Sequence, residues 1–222
     1  MSEESSLYPL FNLHIGEPEE ARLHHSISDQ HIIDVENSWK PILQEHMSNL
    51  KEKHSFGSDE FDKQQFFDEA GELMIQDAHW DWSKKYDYFS SRLGYSSCCL
   101  ICDDKIQGIG FFDHSENFKS QIIEDKTKGI VYVEYIATAP WNRKEIESQR
   151  YAGIGEVLIT YAIEISIEEG MNGRIGLHSL PQAEKFYKEK CCMEDFGIDA
   201  DKKMKYFEMS EEQAAEWLSK IQ

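Results

Sequence analysis

The sequence predicts a mixed α/β fold: one central twisted sheet flanked by helices. Two observations carry that expectation. Apolar strand-like runs alternate with helix-period runs through the second half of the chain, whereas the first hundred residues carry mainly helix-period spacing. The length, 222 residues with 40% hydrophobic and 12% aromatic side chains, suits one domain able to bury a sizeable core.

The entry, residues 1–95, reads as helix-rich and irregular. Ser28-Asp29 caps a helix through Ile32, Ile33, Val35, Trp39, Ile42 and Leu43, with Pro41 expected to kink or break it. Beyond the polar stretch 51–58, a second amphipathic run carries Phe61, Phe66, Phe67, Leu73, Met74, Ala78 and Trp82. Residues 97–102, the turn Asp103-Asp104-Lys105 and residues 106–112 read as a β-hairpin, with glycines at 108 and 110 loosening its second strand. Residues 113–128 are a polar loop, and 130–138 carry the strongest strand signal in the chain.

A charged loop then leads to a helix carrying Ile154, Val157, Leu158, Tyr161, Ala162 and Ile165, which ends at Gly170. Residues 173–179 read as a strand. A short helix starts near Pro181, with Ala183, Phe186 and Tyr187 on one side. A final strand spans 203–209. Ser210 and Gln213 form a capping-box pattern that opens a last helix over 210–222.

Charge and cysteine content narrow the function classes. Twenty-three basic against forty-two acidic residues give a formal charge of −19, which argues against broad nucleic-acid contact and favours a cationic or neutral partner. No apolar run spans a bilayer, and the Met1-Ser2-Glu3-Glu4 start lacks the pattern of an export signal, so a cytoplasmic protein without membrane contact is expected. Five cysteines, an odd number, argue against a disulfide framework. Cys99 and Cys102 have zinc-knuckle spacing, but on a strand their thiols point to different faces, so buried reduced thiols are expected and no metal is proposed.

Arg150-x-x-Gly153-x-Gly155 is the motif that carries chemistry. A helix start leaves several backbone N–H groups without intrahelical partners and concentrates about half a positive charge there. Glycines let a ligand approach that backbone, and Arg150 adds a fixed charge, so the segment suits a phosphate or pyrophosphate. Glu156 after Gly155 excludes a Walker loop. Leu158, where the dinucleotide fingerprint has its third glycine, and the long loop 139–149 exclude that fold.

On these residues the chain resembles the GCN5-related N-acetyltransferases (GNAT). Their acyl-CoA pyrophosphate loop has the Arg/Gln-x-x-Gly-x-Gly/Ala pattern after a strand and opening a helix. Residues 132–138 followed by Ala-Pro resemble the family's fourth strand, 175–179 its fifth, and Ala183-Glu-Lys-Phe186-Tyr187 its "A-x-x-F-Y" helix. The resemblance spans about residues 98–209. Two departures stand out: Ser179-Leu180 where the family often has an asparagine, and Cys191-Cys192 where a glycine usually ends the helix.

The resemblance implies a GNAT-like fold with a splay between the fourth and fifth strands. It implies an acyl-CoA-binding core over 96–209 and an acceptor site shaped by 1–95. It also implies acetyl-CoA as co-substrate, held by the backbone of Ile136, Ala137 and Thr138, by the segment Arg150, Tyr151, Ala152, Gly153, Ile154 and Gly155, and by Ser179. Tyr187 is then the proton donor to the leaving thiolate. Glu134, on the same strand as the coenzyme contacts, is the candidate base or ammonium contact. The expected reaction is direct acetyl transfer to a primary amine of a cationic small molecule or peptide. A non-catalytic acyl-CoA-binding module of the same fold is the alternative. The partners are an acyl-CoA and an amine acceptor, and a homodimer stays open. His178 and the cluster His79, Trp80, Trp82 and Tyr86 are further candidates, either for the pocket or for the core.

Overall fold

The computed structural model describes residues 5–115 and 117–221. The Met1–Glu4 start, from which the export signal is judged missing, Glu116 and Gln222 lie outside them. Strands β1 (Ser5–Asn12) and β2 (Glu17–His24) form a hairpin, so the entry of the chain is not simply helical. Their inward positions alternate: Leu10, Ala21 and Leu23 are fully buried. Gly16, at φ +75°, sits in the connecting turn, and the Asn12 side chain accepts the His14 N–H at 3.0 Å.

Helix α1 (Asp29–Lys53) begins at Ser28, whose hydroxyl accepts from the His31 N–H. It runs through Pro41 without a break. Pro41 and Asn37, whose carbonyl it leaves without a helical donor, both lie on the exposed side. The second amphipathic run divides into α2 (Lys63–Glu72) and α3 (Trp82–Phe89), and Met74 takes a left-handed backbone between them.

Strands β3 (Tyr95–Cys102) and β4 (Lys105–Asp113) form the expected hairpin, and β5 (Val131–Thr138) follows. The two-residue strand β6 (Tyr151–Ala152) pairs with β1 just before α4 (Ile154–Glu168). Strand β7 (Ile175–Ser179) leads into a 3₁₀ turn (Pro181–Ala183) and then a π-helical turn (Phe186–Lys190), closed by the Cys191 N–H on the Phe186 carbonyl at 3.0 Å. The single short helix expected there is therefore two turns, one tighter and one wider than an α-helix. Strand β8 (Glu194–Ile198) was not anticipated. Strand β9 (Lys205–Met209) and α5 (Glu211–Ile221) close the chain, with the reciprocal Ser210–Gln213 capping bonds in place at 2.8 and 3.2 Å.

The described residues form one mixed nine-stranded sheet in the order β6-β1-β2-β3-β4-β5-β7-β9-β8, in which only β5 and β7 pair in parallel. Helix α4 covers one face, where Leu158, Ile159 and Ala162 pack with Leu100, Phe112, Val131 and Phe207. On the other face α1 and α3 bury Trp39, Trp82 and Phe89 against Ile109 and Phe111. Each such side chain contributes about 1.5–3 kcal/mol by leaving water, which makes the two layers a rigid frame for whatever lies between the strands. Because β1 and β2 belong to this sheet, a boundary at residue 95 does not separate it from the rest.

Candidate functional site: a fork between two parallel strands

The site originates in one extra residue. Strand β4 pairs Phe111 with Tyr135 and Phe112 with Val133, so Glu134 has no partner and forms a β-bulge. On the opposite edge β5 pairs with β7 only at Val131, Tyr132 and Val133. From Glu134 onward the two strands part: His178 and Ser179 of β7 pair with β9 alone. Into the fork opens a cavity of about 510 Å³, walled by residues 134–138 on one lip and by Leu177, His178 and Leu180 on the other. The splay that the resemblance implies is present here, between β5 and β7.

Backbone direction decides which lip groups are free. The Ala139 N–H donates to the Gln107 carbonyl at 2.9 Å, and Ala139 lies opposite Gln107 in the register. In an antiparallel ladder hydrogen-bonded and non-bonded pairs alternate, so Ala137 also turns its main chain toward β4, while Ile136 and Thr138 turn theirs into the fork. The Ala137 backbone is thereby committed to the sheet. The Thr138 carbonyl is also taken, by Nε and Nη2 of Arg143 at 3.2 and 2.8 Å. The N–H groups of Ile136 and Thr138 and the Ile136 carbonyl are left facing the cavity.

At the base of the fork lies the start of α4. Gly153 occupies its N-cap at φ +98°, a conformation open to glycine, and no side chain caps the helix. The first helical donor is the Val157 N–H, to the Gly153 carbonyl at 3.0 Å, so the preceding N–H groups of Ile154, Gly155 and Glu156 lack intrahelical acceptors. Gly153, Ile154, Gly155 and Glu156 all line the cavity. A Cβ on Gly155 would come within 2.9 Å of the Phe186 ring, so glycine lets the π-helical turn sit against the helix start. The Glu156 carboxylate faces Lys190 at 3.3 Å, which offsets the one negative charge beside that backbone.

The remaining residues of the motif have other employment. Arg150 pairs with Asp103 at 2.8 Å and lies outside the cavity wall. Tyr151 is fully buried; its N–H goes to the Asn142 side chain at 3.0 Å and its hydroxyl to Glu19 at 2.5 Å. Ala152 is opposite Phe11 in the sheet. Ser179 is buried, and its hydroxyl donates to the Leu180 carbonyl at 2.8 Å, away from the fork. Of the motif, Tyr151, Gly153, Ile154 and Gly155 line the cavity, and the bare helix start begins at Gly153.

Glu134 and Tyr187 both reach the cavity. Burial raises the Glu134 carboxyl above the ordinary carboxylate range; Lys202 and Lys85 oppose that shift and Asp113 adds to it. Burial likewise pushes the Tyr187 phenol far up, so it stays protonated and able to donate. Trp80 lines the cavity and stacks edge-on with Tyr135 at 5.0 Å, while Trp82 is core against Trp39. The Lys85 ammonium sits 3.3 Å from the Tyr135 ring centroid and 4.9 Å from that of Trp80. Burial lowers its pKa to about 8.

Several participants carried no readable signal in the sequence. Arg143 and Asp77 form a buried pair at the cavity wall. Gln107 is buried and accepts from Trp141 and Asn142 at 2.9 and 2.7 Å, which links β4 through Asn142 to the Tyr151 backbone. These are ordinary polar residues, scattered over loops and one strand and brought together only by the fold.

Cys98 and Cys102 belong to the α4-side core and Cys99 to the opposite one. Among the described residues no group of three or more His, Cys, Asp or Glu is placed to hold a metal, and no helix is long and apolar enough to cross a membrane.

No family model matches the sequence, and no curated protein does. Solved structures do resemble it. The GNAT domain of S. lividans PAT is 11% identical over 92% of this chain and 96% of its own, with a TM-score of 0.49. The PaiA N-acetyltransferase from Thermoplasma acidophilum, in complex with coenzyme A, is 10% identical over 86% and 98%, with a TM-score of 0.47. A Bacillus anthracis str. Ames structure in complex with acetyl coenzyme A is 18% identical over 56% and 66%, with a TM-score of 0.41; this chain spans just under two thirds of it.

Proposed function

We propose that the protein is an acetyl-CoA-dependent N-acetyltransferase of the GNAT kind, acting on a primary amine of a cationic small molecule or peptide. The observation that carries this reading is the fork itself. Unpaired backbone at Ile136 and Thr138 runs toward an uncapped helix start at Gly153–Glu156, with a carboxyl and a phenol in the same cavity. An extended amide-bearing arm adds to a free strand edge, and a diphosphate suits a bare helix N-terminus.

In this reading the N–H of Ile136 or Thr138 polarises the thioester carbonyl. The amine nitrogen attacks that carbon, Glu134 takes a proton from it, the C–S bond breaks, and Tyr187 donates a proton to the departing thiolate. No covalent acyl-enzyme forms. The net charge of −19, together with Glu134 and the Trp80 ring at the cavity, supports a cationic acceptor.

Acetyl-CoA at about a hundred times its Kd should stabilise the chain by roughly 2.7 kcal/mol, read as a thermal shift. Thiol release across a panel of primary amines then separates the two fold-consistent readings. A shift without thiol release from any amine supports the binding module; no shift removes both.

A further inference from the structure

Where the fork closes, outside the groups used above, Tyr132 of β5, His178 of β7 and Asp199 of the β8–β9 turn stand in line. The Tyr132 hydroxyl is 2.6 Å from Nδ1 of His178. Nε2 of His178 is buried and makes no hydrogen bond, with Asp199 Oδ2 3.5 Å away. Tyr132 is clamped by Phe118, stacked at 4.2 Å and 10°, and His178 lies 5.0 Å from the Tyr206 ring. Tyr132 and His178 line the cavity, and Asp199 lies in the turn between β8 and β9.

The chemistry of the reaction makes such a row useful. An alkyl ammonium becoming an amide loses two protons, and the thiolate takes up one. The other must leave the cavity. At pH 7 an amine with a lysine-like pKa of about 10.4 is neutral in roughly one molecule in 2,500, so a site that accepts the ammonium and discharges it gains a large factor in usable substrate.

We propose that Tyr132, His178 and Asp199 form the exit for that first proton. This rests on the acetyl transfer proposed above. The ammonium gives its proton to the Tyr132 oxygen as the Tyr132 hydroxyl proton passes to Nδ1 of His178. The Nε2 proton of the resulting imidazolium then moves to Asp199 and on to water, leaving a neutral ring protonated at Nδ1. After product release Nε2 takes a proton back from water through Asp199, Nδ1 passes its proton to the Tyr132 oxygen, and the Tyr132 hydroxyl proton goes to water in the cavity, which restores the starting tautomer. Glu134 takes the second proton on attack, and Tyr187 supplies the thiol's. Tyr132 is thereby a catalytic residue, and His178 and Asp199 are positioning residues. The long Nε2–Oδ2 gap fits a contact that tightens once the ring is charged.

Charged and titratable groups surround the imidazole. Burial lowers its pKa, which keeps Nδ1 free to accept but disfavours the imidazolium; Asp199 opposes that shift by favouring the charged ring, and Lys202, on the same turn, adds to it. Tyr132 meets the ring from β5, and Glu134 on the same strand lines the same cavity. Tyr206, from β9, is itself bonded to Glu208 at 3.0 Å.

The test compares two acceptors that wild type acetylates: an alkyl amine and a hydrazide already neutral at pH 7. Tyr132→Phe and His178→Gln should each lower kcat/KM for the alkyl amine at least tenfold at pH 7, with the double variant no worse than the singles. The loss should shrink as pH approaches the amine's pKa. It should be absent for the hydrazide, whereas Glu134→Gln lowers both. In ¹⁵N-imidazole NMR of the wild-type chain at pH 7, Nδ1 of His178 should be unprotonated. Equal losses on both acceptors, additive losses, no loss, or a protonated Nδ1 overturns the relay while leaving acetyl transfer standing. Absence of thiol release by wild type with every amine overturns both.

Discussion

The guanidinium of Arg143 lies flat against the carboxylate of Asp77, with Nη1–Oδ1 and Nη2–Oδ2 both at 2.7 Å and both residues at least 95% buried. Its remaining donors go to the carbonyls of Met74 and Thr138. One side chain therefore ties the segment after α2 to the end of β5, which is the lip of the fork. Removing one partner strands a buried charge, so Asp77→Ala should destabilise the chain by about 3–5 kcal/mol in chemical denaturation. Replacing both, as Asp77→Leu with Arg143→Met, should recover much of that loss. Coenzyme binding should stay weakened, because the Thr138 carbonyl is then released.

At Gly153 the φ of +98° sets a separate expectation. Space is not the obstacle, since a Cβ there would have Leu10 Cδ2 at 3.7 Å as its nearest neighbour. Backbone strain is: Gly153→Ala should cost roughly 1–2 kcal/mol of stability. If the bare N–H groups hold the diphosphate, coenzyme affinity falls as well, and calorimetric titration reads both effects on one sample. Unchanged affinity with reduced stability would detach this turn from ligand binding.

Tyr187 offers a cleaner deletion. Its phenol is kept protonated by burial, and its ring packs against Phe186 and Phe207 at 5.3 and 5.9 Å. Tyr187→Phe keeps those contacts and removes only the hydroxyl. A fall in kcat of about 10²-fold or more is expected, with coenzyme binding and melting temperature nearly unchanged.

How much of this could be read from the sequence depends on where the information sits. The β3–β4 hairpin, β5, α4 and β7 were legible because apolar periodicity there is long and, for α4, because Gly153 and Gly170 bracket the helix. Strands β1 and β2 were not. Pro9 and Pro18 lie inside them, and Glu17, Glu19 and Glu20 break the apolar alternation, so their signal shrinks to a few buried positions such as Leu10, Ala21 and Leu23. Pro41 misled in the other direction, because an exposed turn tolerates the lost hydrogen bond. At the site, Glu134 was found from its strand, but its position at a bulge is a property of register against β4, which a lone strand does not encode. For Arg150 the charge type is visible in a sequence, whereas its partner in the fold, Asp103 across a loop, is not.

Glu134 also makes a pH argument with a defined sign. Its carboxyl is raised in the folded protein by burial, so between its unfolded value, near 4.5, and its higher folded value the native state holds more protons than the unfolded one. Stability attributable to this group is present below the unfolded value and is lost as pH rises through the folded one. Glu134→Gln removes that loss. The variant should match wild type in stability near pH 4 and exceed it at neutral pH, the gap opening as pH rises and then holding constant. Activity should run the opposite way, with wild-type kcat/KM falling as pH drops through the raised carboxyl value and the Gln variant low throughout. Paired denaturation curves and rate profiles over the same pH series check both halves. A variant less stable than wild type at neutral pH would mean that Glu134 is held by a partner instead of merely tolerated.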